Sequence, residues 1–272
     1  MLGRDSRSAK ISSGNTTTRL LGIFQRVEHV LLVGCAGGVP HYSDHRRHPR
    51  RGDVIISFPD GSSDDNEDYV YAHFEMQKTQ TNQQLISKSW MPASMELYKI
   101  VNNIRKTYNP KLNAQYPWEE YLEQGIASLY NEELDCRRPQ EDKLFFTIGD
   151  KNIIEVNHPE DPEQSGQFDR RRYGLPTLRF GKIAGGEKVV KDENLRHLLS
   201  EQHNIQAFDC DMDQVMDSIE GNRKDSFIII RSIVDYVDGT TSKEWHPYAA
   251  LCAASFAKTI ICALPPPHHS PY

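Results

Sequence analysis

Residues 226–239, SFIIIRSIVDYVDG, read as a strand that is apolar on both faces and runs into carboxylates. A short unbroken apolar run of this kind suits a strand buried on both sides, as in the centre of an α/β sheet. Its C-terminal end delivers Asp235, with Asp238 shortly beyond. Partial burial raises a carboxyl pKa and equips the group to donate a proton, which makes Asp235 a candidate acid. Both aspartates are equally suited to capping the turn that follows.

Upstream, residues 30–33 form a second apolar run that leads directly into CAGGVP. Gly37 and Gly38 remove side chains where that strand is expected to end, so a ligand or a neighbouring backbone can approach closely. The pattern is neither GxGxxG nor GxxxxGK[ST], which sets aside the usual dinucleotide and P-loop fingerprints. Residues 53–58 read as another strand, and an acidic turn at GSSDDNEDY leads into an aromatic strand. Leu97, Ile100, Val101, Ile104 and Tyr108 recur at helical spacing, which predicts an amphipathic helix over 94–108. A charged, proline-containing surface excursion around Trp118 and Leu129 follows.

The second half is more regular. Residues 179–184 read as a strand ending at Gly185 and Gly186, followed by a helix with Leu195, Leu198 and Leu199 on one face. Ala207 and Phe208 lead a short strand into DCDMD. Pro247 opens a last helix that the prolines at 265–267 stop. Strands alternating with helices predict an α/β layer fold.

The chain has 272 residues, 38% of them hydrophobic and 26% charged, which supports a substantial core. A net charge of -6 gives no global attraction to nucleic acid or to anionic membranes, and neither is expected as a partner. No stretch approaches the roughly 18 apolar residues of a spanning helix, and no signal peptide is evident, so an intracellular location, cytoplasmic or otherwise, is expected. Five widely spaced cysteines without a CxxC pair or an HExxH helix suggest free thiols and neither a metal nor another cofactor.

Further candidate groups are polar. Asp211, Met212 and Asp213 can place carboxylates and a soft apolar surface around a polyhydroxy ligand, because a carboxylate accepts hydroxyl hydrogen bonds. If the segment is extended, the two acids share a face. The run HRRHPRR contributes Arg46, Arg47, Arg50 and Arg51, whose guanidinium forks suit phosphate oxygens; a solvated loop explains the same run. No nucleophile–histidine arrangement is evident, so direct activation of a leaving group is favoured over an acyl-enzyme.

Taken in order, LLVGCAGGVP, RGDVIIS, FGKIAGGEKVVKD, DCDMD, IIIRSIVDYVDG and EWHPYAALCAASFAKTII resemble the purine nucleoside phosphorylase/5'-methylthioadenosine nucleosidase superfamily. The likeness is to the divergent eukaryotic branch found in some multidomain proteins. It covers roughly residues 29–78 and 175–264. It implies an α/β fold with a mixed, often barrel-like central sheet flanked by helices, and N-glycosidic bond chemistry on a purine nucleoside or nucleotide.

In that resemblance Ala36, Gly37 and Gly38 lie near base or sugar, and Glu187 and Val189 belong to the segment enclosing the base. Met212 and Asp213 match the methionine and acid that contact ribose. Asp235 matches the aspartate that assists the departing purine at N7. The superfamily acid at 213 is usually glutamate, so the aspartate is one methylene shorter, and a serine usually stands where this chain has Val234. An arginine of the hexameric phosphorylases matches a position near Leu32, which favours water over phosphate as acceptor. The superfamily's first strand and its acid have no counterpart in the polar opening.

The expected organisation is a polar segment over 1–19, a nucleoside phosphorylase-like domain over 20–264 with an irregular insertion around 109–170, and a Pro/His-rich tail over 265–272. A hydrolase is the first expectation. A non-catalytic nucleotide-sensing or assembly domain and a phosphate-dependent phosphorylase are the alternatives, and a homo-oligomer is compatible with all three.

Overall fold

The computed structural model describes residues 6–59, 68–78, 83–129, 135–148, 152–160, 170, 174–209, 212–236 and 243–266. In chain order the elements are α1 (Ser6–Ile23), β1 (His29–Gly38), β2 (Val54–Ser57), β3 (Tyr71–Lys78), β4 (Gln83–Trp90), α2 (Glu96–Thr107), α3 (Pro117–Leu129), β5 (Leu144–Ile148) and β6 (Asn152–Val156). They continue with β7 (Leu178–Gly185), α4 (Glu187–Lys191), α5 (Glu193–His203), β8 (Ile205–Asp209), α6 (Asp213–Gly221), β9 (Ser226–Asp235) and α7 (Trp245–Ala263).

β9 is the strand on which the sheet is organised. Ile228, Ile229, Ile230 and Ile233 have no exposed surface, because β9 is sandwiched between β1 and β2 within the sheet and covered by α7. The seven-stranded mixed sheet has the order β2-β9-β1-β8-β7-β3-β4, and β2 also pairs with β7, so β2, β9, β1, β8 and β7 close into a ring. β3 and β4 extend it as a hairpin. Closure leaves these strands little solvent-facing edge, consistent with their apolar runs.

The amphipathic helix forms as its spacing predicts: α2 buries Leu97, Tyr98 and Val101. The Tyr98 hydroxyl meets Ser57 Oγ at 3.0 Å, and Ser57 Oγ accepts from the Ile229 N–H, so α2 is tied to β2 and β9. α5 is capped by Asp192, whose carboxylate accepts from the Leu195 N–H, and closed by Asn204 in the left-handed conformation (φ 52°). Leu199 is buried as expected, whereas Leu198 is 49% exposed: the buried face of α5 passes through Arg196, Leu199 and Ser200 instead.

Three expectations are revised. The glycines after residue 33 do not form a turn, because β1 runs on through Gly38, with an irregularity in its pairing to β9 between Ala36 and Gly37. The polar opening is largely helical. α1 packs on α6 through small side chains, with Ser218 Oγ donating to the Gly14 carbonyl at 2.9 Å. The 109–170 stretch contains α3 and the β5–β6 hairpin. α3 buries Trp118 and Leu122 and lies on α7, with Trp118 and Phe256 rings 5.8 Å apart. Within it, Glu119 and Arg170 form a buried ion pair.

Candidate functional site

The strand register assembles the site. Gly37 is paired with Asp235 on one side and with Phe208 on the other, so the ends of β9 and β8 meet across β1. Pairing between β1 and β8 is confined to Gly37 and Gly38, and no described strand precedes β1. Where β8 stops, Asp209 accepts a 2.5 Å hydrogen bond from Arg231 Nε. The same guanidinium donates to the Leu32 carbonyl at 2.6 Å and contacts Met212 Sδ. Arg231 is 7% exposed and spans the junction of β1, β8 and the start of α6. A buried arginine needs such partners, since an unpaired buried charge is costly.

Cys35 lies in the same field. Burial pushes its thiol up to about 11, Arg231 opposes that shift, and Asp209 and Asp235 reinforce it. These influences identify Asp235, Asp209, Arg231 and Cys35 as neighbours. Asp235 itself is half-buried.

Asp213 is not on an extended segment. It opens α6, with Met212 in the cap position, so the shared face expected for Asp211 and Asp213 does not arise; Asp211, like Asp238, lies outside the described residues. Met212 is 7% exposed, and its N–H points to the Tyr71 hydroxyl at 3.3 Å. Asp213 Oδ1 is buried and has no hydrogen-bond partner among the described residues. An unpartnered buried acceptor costs ~1–3 kcal/mol, so this oxygen is suited to receive a donor from a ligand.

The other expected contacts are distributed differently. Ala36 is 5% exposed and belongs to the core. Val189 is fully buried among Val39, Phe74, Leu199 and Phe208, so its side chain is closed to a ligand; an apolar β-branched residue on the inner face of α4 packs instead. Glu187 is exposed and pairs with Lys191 at 2.7 Å.

The arginine run divides. Arg50 donates to Asp142 at 2.6 Å. Arg51 is buried over the Tyr236 ring at 5.1 Å and lies 3.8 Å from Asp142. Both therefore face internal partners, a buried carboxylate and an aromatic ring. Arg46 and Arg47 are exposed; Arg47 borders a recess lined by Val39, His41, His197 and Glu201.

Asp142 is the centre of a network that sequence reasoning missed. Its carboxylate accepts from the Tyr236 hydroxyl at 2.8 Å, beside the Arg50 bond. His48 Nδ1 accepts from the His41 N–H, His48 Nε2 meets His158 Nδ1 at 2.9 Å, and His158 Nε2 meets the Asp142 carbonyl at 2.7 Å. A single proton order satisfies the chain: each neutral imidazole donates from Nε2 and accepts at Nδ1. Asp142 sits in a stretch with no periodic pattern, and only its fold-level partners reveal it. Arg231 carried a signal, a cation within an apolar strand, which a buried acid had to answer.

Among the described residues there is no group of three or more His, Cys, Asp or Glu side chains arranged to hold a metal, and no helix is long and apolar enough to cross a membrane.

No family model matches the chain. It is 26% identical over 252 residues to a nucleotide-binding leucine-rich repeat (NLR)-like protein of Hyaloscypha variabilis; that match takes in 92% of this chain and 23% of the relative, so the chain spans about a quarter of its length. Among solved structures it is similar to a putative 5'-methylthioadenosine/S-adenosylhomocysteine nucleosidase of Borrelia burgdorferi bound to adenine, with a TM-score of 0.50 and 14% identity over 94% of this chain and 77% of that one. It is also similar to the futalosine hydrolase of Helicobacter pylori, with a TM-score of 0.46 and 13% identity over 94% of this chain and 76% of that one. The mixed sheet flanked by helices is the nucleoside phosphorylase/nucleosidase fold.

Proposed function

We propose that this chain, which has the fold of the nucleoside phosphorylases and 5'-methylthioadenosine nucleosidases, hydrolyses the N-glycosidic bond of a purine nucleoside or nucleotide. The observation that carries the reading is Asp213 Oδ1, a buried acceptor without a partner next to Met212, at the position expected to hold ribose. Asp235, brought against Gly37 by the strand register, is the acid for the leaving base. As the C1'–N9 bond breaks, its electron pair passes to the purine, Asp235 donates a proton to N7, and water adds its hydroxide to C1', its remaining proton returning through solvent to the Asp235 carboxylate. The adenine held by the Borrelia burgdorferi protein is in keeping with a purine leaving group.

Water is the favoured acceptor. Arg50 and Arg51 are engaged by Asp142 and Tyr236, and no arginine stands at Leu32, so a phosphate clamp built on Arg50 and Arg51 would have to displace internal partners. The NLR-like relative supports placing the chain in the multidomain branch, and with it the second reading, a domain that binds nucleotide without turnover. Val234 favours that second reading, since the hydroxyl that would orient Asp235 is missing.

The test is to incubate the protein with adenine and guanine nucleosides and nucleotides, with and without phosphate, and to quantify free base and sugar. Base release without phosphate is expected, suppressed in Asp235→Asn more than binding is. Saturable binding with no product establishes the sensing reading, and strict phosphate dependence reverses the choice of acceptor.

A further inference from the structure

His48 and His158 take no part in the proposed contacts to base or ribose, yet both are packed against the residue that follows Asp235. His48 has no exposed surface, and its ring stacks on that of Tyr236 with 5.5 Å between centroids and 23° between planes. The His158 ring stands 5.6 Å from the same phenol. The Tyr236 hydroxyl donates to the Asp142 carboxylate at 2.8 Å and accepts from the Arg51 N–H at 3.2 Å. Tyr236 is thus held at its hydroxyl by a carboxylate and on its ring by imidazole.

Hydrogen bonding fixes the protons of the pair. His48 Nδ1 accepts from the His41 N–H at 3.1 Å and is therefore bare, so its proton sits on Nε2 and points at His158 Nδ1, 2.9 Å away. That nitrogen must be bare in turn, and His158 donates from Nε2 to the Asp142 carbonyl at 2.7 Å. A further proton has no place in this chain. On His158 Nδ1 it confronts the His48 Nε2–H, on His48 Nδ1 it confronts the His41 N–H, and every other arrangement also loses at least one of the three bonds. The surrounding charges are divided. The Asp142 carboxylate, 3.7 Å from His158 Nε2, favours a proton, whereas Arg50 and Arg51 beside the same carboxylate oppose it. Arg179 donates to the His48 carbonyl and is itself answered by Asp53, and the Asp44 carboxylate on the same loop is turned to the Arg46 N–H.

We propose that His48 and His158 are positioning residues for Asp235: as neutral imidazoles they hold Asp142 and Tyr236 in place, which keeps the acid at the leaving base, and acid lets it go by protonating the pair. The inference deepens the proposed function and rests on its assignment of Asp235. The ordinary imidazole range, about 6.5, puts the loss at mildly acidic pH. Asp235 as a proton donor works only while protonated, so its own titration removes activity toward high pH and cannot produce a loss toward low pH. The two effects therefore fall on opposite sides of the pH profile.

The experiment follows base release from adenosine at pH 7.5 and at pH 5.5 by the unsubstituted protein, His158→Leu and His158→Gln, with circular dichroism at both values to establish that each is folded. At pH 7.5 His158→Leu should lower kcat about tenfold or more with KM little changed, since a displaced acid costs the chemical step and not substrate binding. His158→Gln offers a donor and an acceptor but no titrating group. It should recover most of that loss and keep its rate at pH 5.5, where the unsubstituted protein should fall about tenfold. An unchanged kcat in folded His158→Leu, or an acid loss in His158→Gln equal to that of the unsubstituted protein, overturns the inference and leaves the hydrolase reading standing. If none of the three releases base, hydrolysis of adenosine is refuted and calorimetry with adenosine decides the inference. Affinity that falls at pH 5.5 in the unsubstituted protein and not in His158→Gln upholds it, and any other binding result overturns it.

Discussion

The phenolic hydroxyl of Tyr236 donates to Asp142 Oδ1 at 2.8 Å, one residue beyond Asp235. The neighbouring Glu141 carbonyl accepts from Trp245 Nε1 at 3.0 Å, at the start of α7. Two consecutive residues of the central stretch thus hold the chain on both sides of 237–242, so Asp142 bears on where Asp235 stands. Asp142→Ala leaves Arg50 and Arg51 without their carboxylate and should cost about 3 kcal/mol or more in unfolding free energy. Tyr236→Phe removes one hydrogen bond to a charged acceptor and should cost about 2 kcal/mol. Chemical denaturation of both single variants and the double should show them coupled; additive losses would separate the two groups.

Arg231 and Asp209 form another buried pair, linking β9 to the end of β8 beneath Met212. Arg231→Met keeps the volume but takes the cation away from the Asp209 carboxylate, and a loss of about 3 kcal/mol is expected. Adding Asp209→Asn should recover part of it, because the uncompensated charge is then removed. A double variant less stable than Arg231→Met would show that Asp209 has other dominant partners.

What the sequence disclosed was periodic or apolar. The runs at 53–58 and 226–230 and the stripe through Leu97, Val101 and Ile104 became β2, β9 and α2 because burial dictates such patterns, whereas the run at 30–33 became β1 with Val30, Leu31 and Leu32 only partly buried and Val33 40% exposed. Closure of the ring could not be read, since it depends on β2 meeting β7, a pairing written in no local motif. The placement of Gly37 against Asp235 is likewise a matter of register. The partner of Arg50 and Arg51 was hidden for a different reason: a basic run looks solvated until the buried carboxylate beside it, remote in the chain at Asp142, is known. α1 was hidden by its small polar residues, which dock on α6 through Ser218 and need no apolar stripe.

Cys35 gives a pH dependence with a definite sign. Its thiol is held near 11 against an ordinary 9.0, chiefly by burial, so the folded protein favours the neutral form. The stability this contributes is complete below pH 9.0 and is lost as pH rises through about 11. Alkylation followed by mass spectrometry at pH 8 should therefore label the exposed Cys262 and spare Cys35. Arg231→Met takes away the cation that opposes the shift and should move Cys35 labelling to still higher pH. Rapid labelling of Cys35 at pH 8 in the folded protein would contradict its burial beside Asp209 and Asp235.

Gly38 tests the fit of the arginine-bearing loop against the end of β1. A Cβ at this position would stand 2.9 Å from Pro49 Cγ and 3.1 Å from Ile233 Cγ2. Pro49 is a rigid ring between His48, which is buried in the imidazole chain, and Arg50, which is bonded to Asp142, so it has little room to retreat. Ile233 is fully buried on β9. Overpacking of this kind costs about 1–3 kcal/mol, and Gly38→Ala should lower the unfolding free energy by that amount. Because the strain falls two residues from Asp235 on β9, the same substitution should also reduce base release per folded molecule. Gly22→Ala, at a helical glycine with open space around its Cβ position, is the control and should lower neither quantity; equal losses in the two variants would refute the close fit at Gly38.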